Sequence, residues 1–372
     1  MARCFDSVVV GGGLVGLAIA RGLTREGLRV AVCDEGDRAL RASRGNFGLV
    51  WVQGKGADSP AYARLTARSA QCWPAFAERL RGESGIDPAL AQPGGFDPCL
   101  RPDELDAKAA LMARLQAHTP EFRYDVLDAR AVRRHFPDIA PDIAGAIHSP
   151  RDGHVNPLKT LYALCAAFQA RGGVYLPRHR VTDIAPGNAA FTLTTAAGAL
   201  ECARLVLAAG LGNAPLAPLV GLRAPVTPVR GQLMITERLP PFLPYPTPMI
   251  RQTDEGAVQI GESREPAAGF DDGTLPGVLA GMARRAIRLF PRLRQARIVR
   301  AWGALRVMTP DGLPLYEESR RHPGAFIASC HSGVTLAAAH CEIVAPWIAG
   351  TADPGFMENF HAQRRALQTP AD

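Results

Sequence analysis

The run Val8-Val9-Val10-Gly11-Gly12-Gly13-Leu14-Val15-Gly16 limits what this chain can fold into more than any other feature. Residues 5–10 read as a strand. Residues 14–26 follow with Leu14, Leu17, Ala18 and Leu23 at helical spacing. Gly27 stands where a helix C-cap is expected, and residues 28–33 read as a second buried strand. A strand, a helix and a second strand in this order form a parallel crossover. Gly11, Gly13 and Gly16 occupy the G-x-G-x-x-G positions. The first glycine permits the tight turn, the second lets backbone approach a pyrophosphate, and the third lets helix pack on strand. The helix N-terminus adds free N–H groups and the positive end of its dipole. Asp34 ends the second strand about 20 residues on, where a carboxylate accepts ribose hydroxyls; Glu35 is the alternative. A dinucleotide held by Gly11, Gly13, Leu14, Val15, Gly16 and Asp34 or Glu35 is expected, against the plainer reading of a glycine turn without a ligand.

The rest of the composition excludes other classes. The 372 residues are enough for two domains, and no apolar run reaches the ~18–20 residues of a membrane span. The first strand begins so early that no signal peptide precedes it, so a cytoplasmic protein is expected, at the inner face of a membrane only through a partner. The formal charge of +7 comes from scattered arginines without a basic block, which argues against nucleic-acid binding and suits an anionic cofactor or substrate. Eight cysteines include no Cys-x-x-Cys pair, as expected for reduced thiols. Cys330, His331, His340 and Cys341 resemble metal ligands in one dimension, but on one continuous helix they lie too far apart. No metal site is expected.

Residues 60–139 read as mainly helical, interrupted near residues 92–95. Asn156-Pro157 opens a helix that Gly172-Gly173 ends. Residues 174–176, 181–184, 191–195 and 205–208 read as strands returning to the first sheet. Residues 226–236 and 258–261 read as further strands, separated by a rigid proline-rich loop. A helix over 275–290 and a strand over 326–328, running into a helix led by Gly333, complete the pattern. The expected fold is α/β: a Rossmann-like domain with a parallel sheet plus a discontinuous α+β substrate domain with a mostly antiparallel sheet. The first takes residues 1–60, 151–225 and 300–372; the second takes 61–150 and 226–299.

A single dinucleotide motif and the lack of paired redox cysteines favour FAD over NAD. Further motifs follow in order: Ala42-Ser43-Arg44-Gly45-Asn46-Phe47-Gly48, Asp152-Gly153-His154-Val155-Asn156-Pro157, Leu205-Val206-Leu207-Ala208-Ala209-Gly210, Met308-Thr309-Pro310-Asp311-Gly312-Leu313-Pro314 and His331-Ser332-Gly333-Val334-Thr335-Leu336-Ala337. Together they resemble the D-amino-acid oxidase/glycine oxidase superfamily of flavoproteins across nearly the whole chain. Residues 42–56 are closer to one branch, the FAD-bearing β subunits of opine and D-hydroxyproline dehydrogenases and the related hydrogen cyanide synthase subunit. The resemblance implies non-covalent FAD, since no cysteine lies in 301–308 where sarcosine-oxidase-like relatives attach it.

On that resemblance, Ser43, Arg44 and Asn46 serve the pyrophosphate and ribityl chain, and Gly48, Leu49 and Val50 lie against the isoalloxazine. Val181 edges the adenine, with Ala208, Ala209 and Gly210 closing over the same end. Gly333, Val334, Thr335 and Leu336 present a helix start to flavin N1/O2, where hydride arrival leaves negative charge. His331 is either a flavin neighbour or a structural cap. Arg306 is expected to grip the substrate carboxylate bidentately, unless it is tied to backbone carbonyls. Arg251 reads as a surface arginine at a sheet edge, with a second carboxylate grip as the alternative, Lys55 as a surface lysine rather than a catalytic one, and Trp51 as core or as a pocket wall.

The expected reaction is hydride transfer from the α-carbon of an amino acid or secondary amine to flavin N5, giving an imine that hydrolyses. The relatives carry a lysine where this chain has Thr335, which argues for a dehydrogenase passing electrons to another protein or a quinone. The alternatives are an oxygen-using oxidase of the glycine or sarcosine kind, an FAD-bearing subunit active only in an electron-transfer complex, and an NAD(P)-dependent dehydrogenase without flavin.

Overall fold

The computed structural model describes residues 3–36, 42–261 and 263–364. Its first sheet has β1 (Arg3–Val10) at the centre, β2 (Val30–Cys33) and β8 (Val174–Leu176) on one side, and β11 (Gly198–Leu207) and β17 (Ala325–Ser329) on the other. All these neighbours run parallel; β16 (Leu315–Glu318) closes the edge antiparallel. β9 (Val181–Pro186) and β10 (Phe191–Thr195) form a hairpin added to β11. The central strands are buried on both faces, which is why Val8–Val10, Val30–Cys33 and Leu205–Leu207 read as continuous apolar runs. α1 (Leu14–Arg25) and α5 (Pro157–Ala170), the latter capped by the Asn156 side chain, pack on one face.

A second, four-stranded antiparallel sheet has the order β13 (Ile250–Gln252), β14 (Ala257–Ile260), β12 (Thr227–Arg238), β15 (Ile298–Met308). Since β15 pairs with β12 along its length, this sheet draws on residues from both sides of position 300. α7 (Pro276–Leu289) buries Met282, Ala286 and Leu289 in the core beside it. The α/β class and the second, antiparallel part thus have the form expected.

The segment read as mainly helical differs. α2 (Pro60–Ser84), α3 (Pro102–His118) and α4 (Ala129–His135) are helices, but β4 (Gly95–Cys99), β6 (Gly145–Ser149) and β5 (Asp125–Asp128) form a three-stranded antiparallel sheet between them. These strands are four or five residues long and β4 contains Pro98, so neither alternation nor β-branching marks them. The terminal helix also starts later than expected. Residues 333–336 form a turn, α8 (Ala337–Ala339) follows, and a π-helical segment over His340–Val344 leads into α9 (Ala345–Ala349).

Cys330 and His340, placed far apart by the single-helix argument, approach to 4.0 Å between Sγ and Nε2 because the chain reverses after β17. His340 Nε2 also meets the Tyr316 hydroxyl at 2.8 Å. Among the described residues no group of three or more His, Cys, Asp or Glu side chains is placed to hold a metal. No helix among them is long and apolar enough to cross a membrane.

Two close contacts fix the frame. Gly22 of α1 faces the terminal helix so tightly that a Cβ there would lie 2.3 Å from Ala345 Cβ and 2.6 Å from the Cys341 carbonyl. The loop after β3 (Leu49–Val50), which pairs with β7 (Gly153–His154), is held by buried Asp152. The Asp152 carboxylate accepts from the Val52 amide at 2.5 Å and from Gln53 Nε2 at 2.6 Å. Burial nevertheless pushes its carboxyl up to about 7.

Gly22→Ala should lower stability to denaturant by about 1–3 kcal/mol through overpacking, and an unchanged midpoint would show that the helices separate easily. For Asp152 the folded state holds its proton more tightly than the unfolded chain. Its contribution to stability is therefore present at low pH and lost as pH rises from about 4 to about 7. Asp152→Asn removes that term, so its melting temperature should change less between about pH 5 and about pH 8 than that of the natural chain; parallel curves would refute the assignment.

Candidate active site

The carboxyl ends of β1, β2 and β11 meet where neighbouring connections leave β1 in opposite directions, the place where open α/β sheets bind ligands. Gly11 adopts φ +112°, and a Cβ on it would sit 2.4 Å from the Ala208 carbonyl. A Cβ on Gly16 would sit 1.9 Å from the Gly11 carbonyl, and one on Gly13 2.8 Å from Ser43 Oγ. These are the close approaches the motif requires. No acid stands in the first turn of α1, and its N-cap Gly13 has no side chain to cap it. Ser43 Oγ instead meets the Leu14 amide at 3.0 Å. A helix start free of carboxylates, flanked by a hydroxyl and lined by glycine backbone, fits a pyrophosphate.

At one end of this cradle the Asp34 carboxylate accepts from the Gly12 amide at 2.7 Å and the Gly36 amide at 3.1 Å. The Asp34 carbonyl accepts from the His179 amide, which brings the start of β9, with buried Val181, beside it. Glu35 lies 3.7 Å from Arg180 in an ion pair at the surface. Ala208 continues from β11 over Gly11, its amide donating to the Val10 carbonyl, and Ala209 leads into Gly210, which turns the chain with φ +61°.

At the other end, a Cβ on Gly333 would lie 3.6 Å from the Val15 side chain and 3.9 Å from Leu14 Cβ, so residues 333–336 sit directly over the start of α1. Thr335 Oγ1 donates to the Leu49 carbonyl at 3.1 Å and accepts from the Trp51 amide at 3.3 Å. Its side chain therefore joins β3 to the turn. Val334 and Leu336 are buried in the core beneath. Gly48 has φ +93°, and a Cβ there would sit 2.5 Å from the Val155 carbonyl; the protein's own backbone already requires glycine there. The Asn46 side chain caps the Gly48 amide at 2.7 Å. Arg44 stands half-buried in the turn between Ser43 and Gly45. Trp51 is core: it is buried, with its ring against Gly95.

Arg306, on β15, lies with its guanidinium against Gly231. Its Nη1 donates to the Ser263 carbonyl at 2.8 Å and the Arg230 carbonyl at 3.3 Å, so the backbone ties named as the alternative to a carboxylate grip are present. His331 is pushed down to about 3, first by burial and then by the positive charges of Lys55, Arg306 and Arg264. It is neutral at physiological pH, and its Nε2 meets Ser332 Oγ at 3.2 Å.

Two surface readings are overturned. Arg251 is buried at 2% exposure, donating to the Phe47 carbonyl at 2.5 Å and Gln259 Oε1 at 2.6 Å, with His154 Nδ1 at 3.3 Å. The proline-rich loop before β13 and the loop carrying Phe47 cover that sheet edge, which the strand pattern alone does not convey. Lys55 is half-buried, its Nζ 2.5 Å from Ser332 Oγ, and burial lowers it to about 8. Ser332 Oγ also meets the Tyr62 hydroxyl at 2.9 Å. Nothing in the sequence singles out Tyr62, Asp152 or Ser332 as members of this site. The available signal for Lys55 is its rarity, one of three lysines and the one enclosed by glycines.

The FAD-dependent oxidoreductase (DAO) family model matches residues 6–347. An opine oxidase subunit of Agrobacterium tumefaciens is 43% identical over 363 residues, covering 96% of this chain and 97% of the relative. A hydrogen cyanide synthase subunit of Pseudomonas aeruginosa is 29% identical over 359 residues, 85% of each chain. The crystal structure of glycine oxidase from Geobacillus kaustophilus superposes with a TM-score of 0.88 at 26% identity, covering 98% of this chain and 99% of that one. With a glycine cradle that accepts a dinucleotide and a family match over almost its whole length, this chain belongs to the FAD-dependent oxidoreductases of the DAO family and uses FAD.

Proposed function

We propose that this enzyme oxidises an amino acid or secondary amine at the carbon next to nitrogen. The observation that carries the reading is one continuous track: the dinucleotide cradle around Gly11–Gly16 leads under Gly333 to His331, on which the charges of Lys55 and Arg306 both act. FAD, held non-covalently by Gly11, Gly13, Leu14, Val15, Gly16, Asp34 and Ser43, supplies the two-electron acceptor when bound. Arg306 holds the substrate carboxylate and so fixes the carbon that loses hydride. Neutral His331 accepts or donates a hydrogen bond without placing a second positive charge beside the amine. The buried surroundings favour the uncharged amine, whose lone pair must form the C=N bond as hydride leaves. Water then hydrolyses the imine.

The opine oxidase and hydrogen cyanide synthase relatives are both named as subunits, which supports a second reading: work within a hetero-oligomer that passes electrons onward. The position of Lys55 beside the Gly333 turn removes the sequence argument against direct reaction with oxygen. The rate of reoxidation in air separates these acceptors.

Anaerobic spectra of the purified flavoprotein should lose the absorbance near ~450 nm when an N-(carboxyalkyl)amino acid, D-hydroxyproline or a D-amino acid is added. A flavoprotein that none of them bleaches, alone or with a co-expressed partner, would contradict the amine reading. Arg306→Lys should lower kcat/KM about 100-fold, since a point charge replaces a planar grip. A change within about threefold would leave Arg306 a purely structural tie.

A further inference from the structure

We propose that a cleft between β4, α3 and α7 binds a free amino acid in its zwitterionic form, with Arg285 on the carboxylate and Asp97 on the ammonium. It lies away from the catalytic edge and does not depend on which amine is oxidised there. The cleft encloses ≈ 200 Å³, and Asp97, Lys108 and Arg285 line it together with the apolar Pro98, Met249 and Leu289. Sites for drug-sized ligands run to ~300–1,000 Å³, so this one suits a small metabolite.

The antiparallel sheet separates the cleft from Arg306. Trp302, Ala304 and Arg306 share one face of β15. That face meets the loop around Gly45: a Cβ on Gly45 would lie 2.5 Å from Ala304 Cβ, and Trp302 Nε1 donates to the Gly45 carbonyl at 3.3 Å. Ala301 and its partner Met234 lie on the other face. There Met234 packs in one apolar core with Met249, Ala286 and Leu289. Met249 and Leu289 of that core also line the cleft.

Asp97 stands in a strand whose other residues are buried, and burial holds its carboxyl above the ordinary value against the lowering by Lys108 and Arg285. Lys108 Nζ donates to its Oδ1 at 2.5 Å; among the described residues its Oδ2 accepts no hydrogen bond. Arg285 donates through Nε to the Met249 thioether at 3.1 Å, a weak acceptor. Its Nη groups make no hydrogen bond or ion pair among the described residues. Glu104 is taken by the Leu100 amide at 3.0 Å and by Arg101 at 3.1 Å, and burial pushes the Cys99 thiol up to about 11, so it is uncharged. The cleft thus sets two cations against one carboxylate, with one oxygen of that carboxylate free. A guanidinium grips a ligand carboxylate bidentately, and an ammonium beside Asp97 Oδ2 favours the ionised form that burial opposes. The Arg285 charge acts on Asp97, so one small molecule reaches both. An amino acid carries the two groups on one carbon, and Pro98, Met249 and Leu289 offer apolar surface to an aliphatic side chain.

Calorimetry on the anaerobic holoenzyme tests this with alanine and leucine of either hand. Each is compared with its deamino acid (propionate, 4-methylpentanoate) and its decarboxylated amine (ethylamine, 3-methylbutylamine). At least one amino acid should bind once per chain without changing the flavin spectrum, and at least about tenfold more tightly than either partial ligand. Arg285→Gln should weaken it at least about tenfold, and Asp97→Asn should remove the preference over the deamino acid. Arg285 is exposed on α7, so its replacement leaves the core intact; melting temperature and FAD content are the controls. Partial ligands that bind as tightly as the amino acids, or a preference that survives both substitutions, would overturn the proposal. So would binding that always perturbs the flavin and persists in Arg285→Gln, which puts the ligand at the catalytic edge, or no binding at about 10 mM. None of these outcomes bears on whether amines bleach the flavin, so the functional reading stands or falls separately.

Discussion

Thr335 is the point on which the site's geometry depends. Its hydroxyl joins the Leu49 carbonyl to the Trp51 amide, and its own carbonyl accepts from Ser69 Oγ at 2.7 Å and Trp73 Nε1 at 3.1 Å. Ser69 Oγ in turn accepts from the Ala339 amide at 3.1 Å. One residue thus ties the loop between the sheets, the long helix α2 and the turn that precedes the terminal helix. Apart from half-buried Leu49 these residues are buried, so most lost bonds leave a polar atom without water. The cost makes the arrangement all-or-none, and the Gly333 turn is held over Leu14 and Val15 as a consequence.

Around this knot burial sorts the ionisable groups. His154, His331 and His340 are driven to about 3, and Asp152 to about 7. Cysteine and tyrosine neighbours are pushed up and stay neutral. Burial lowers Arg251 only to about 10, with Asp254 acting in the other direction, so it keeps its charge at neutral pH. Lys55, Arg306 and Arg264 place positive charge on His331.

The parallel sheet and its cofactor edge are legible in the sequence because they depend on local rules. Continuous apolar strands, a glycine triplet in register and Asp34 at a strand end each leave a mark within a few residues, and the Asn156 cap announces α5 directly. The short strands β4, β5 and β6 are not legible, since they are stabilised by pairing between segments well separated in the chain rather than by their own pattern. The same applies to Lys55 and Arg251. Nothing adjacent in sequence indicates that Ser332 lies on one and Phe47 on the other, contacts separated by 277 and 204 positions. Arg306 is marked by its motif, but its ties to Ser263 and Arg230 become visible only once β12 and β15 have paired. Thr335 reads in sequence as a cofactor neighbour through its backbone, and its side chain joins the Leu49 carbonyl to the Trp51 amide, a tie no local pattern announces.

These two kinds of legibility follow from how the two ends of the site are built. The cofactor end is made of backbone: glycines that allow close approach, amides at a helix start, and carbonyls at strand ends. Such a surface tolerates wide variation of side chains, in keeping with a glycine oxidase structure that superposes with a TM-score of 0.88 at 26% identity. The end proposed to bind substrate is made of side chains on β15, the loop after β3 and the turn after β17. Any one of them can change without disturbing the cradle. Family membership therefore specifies FAD as the cofactor of this chain, while the substrate is set by side chains outside the cradle.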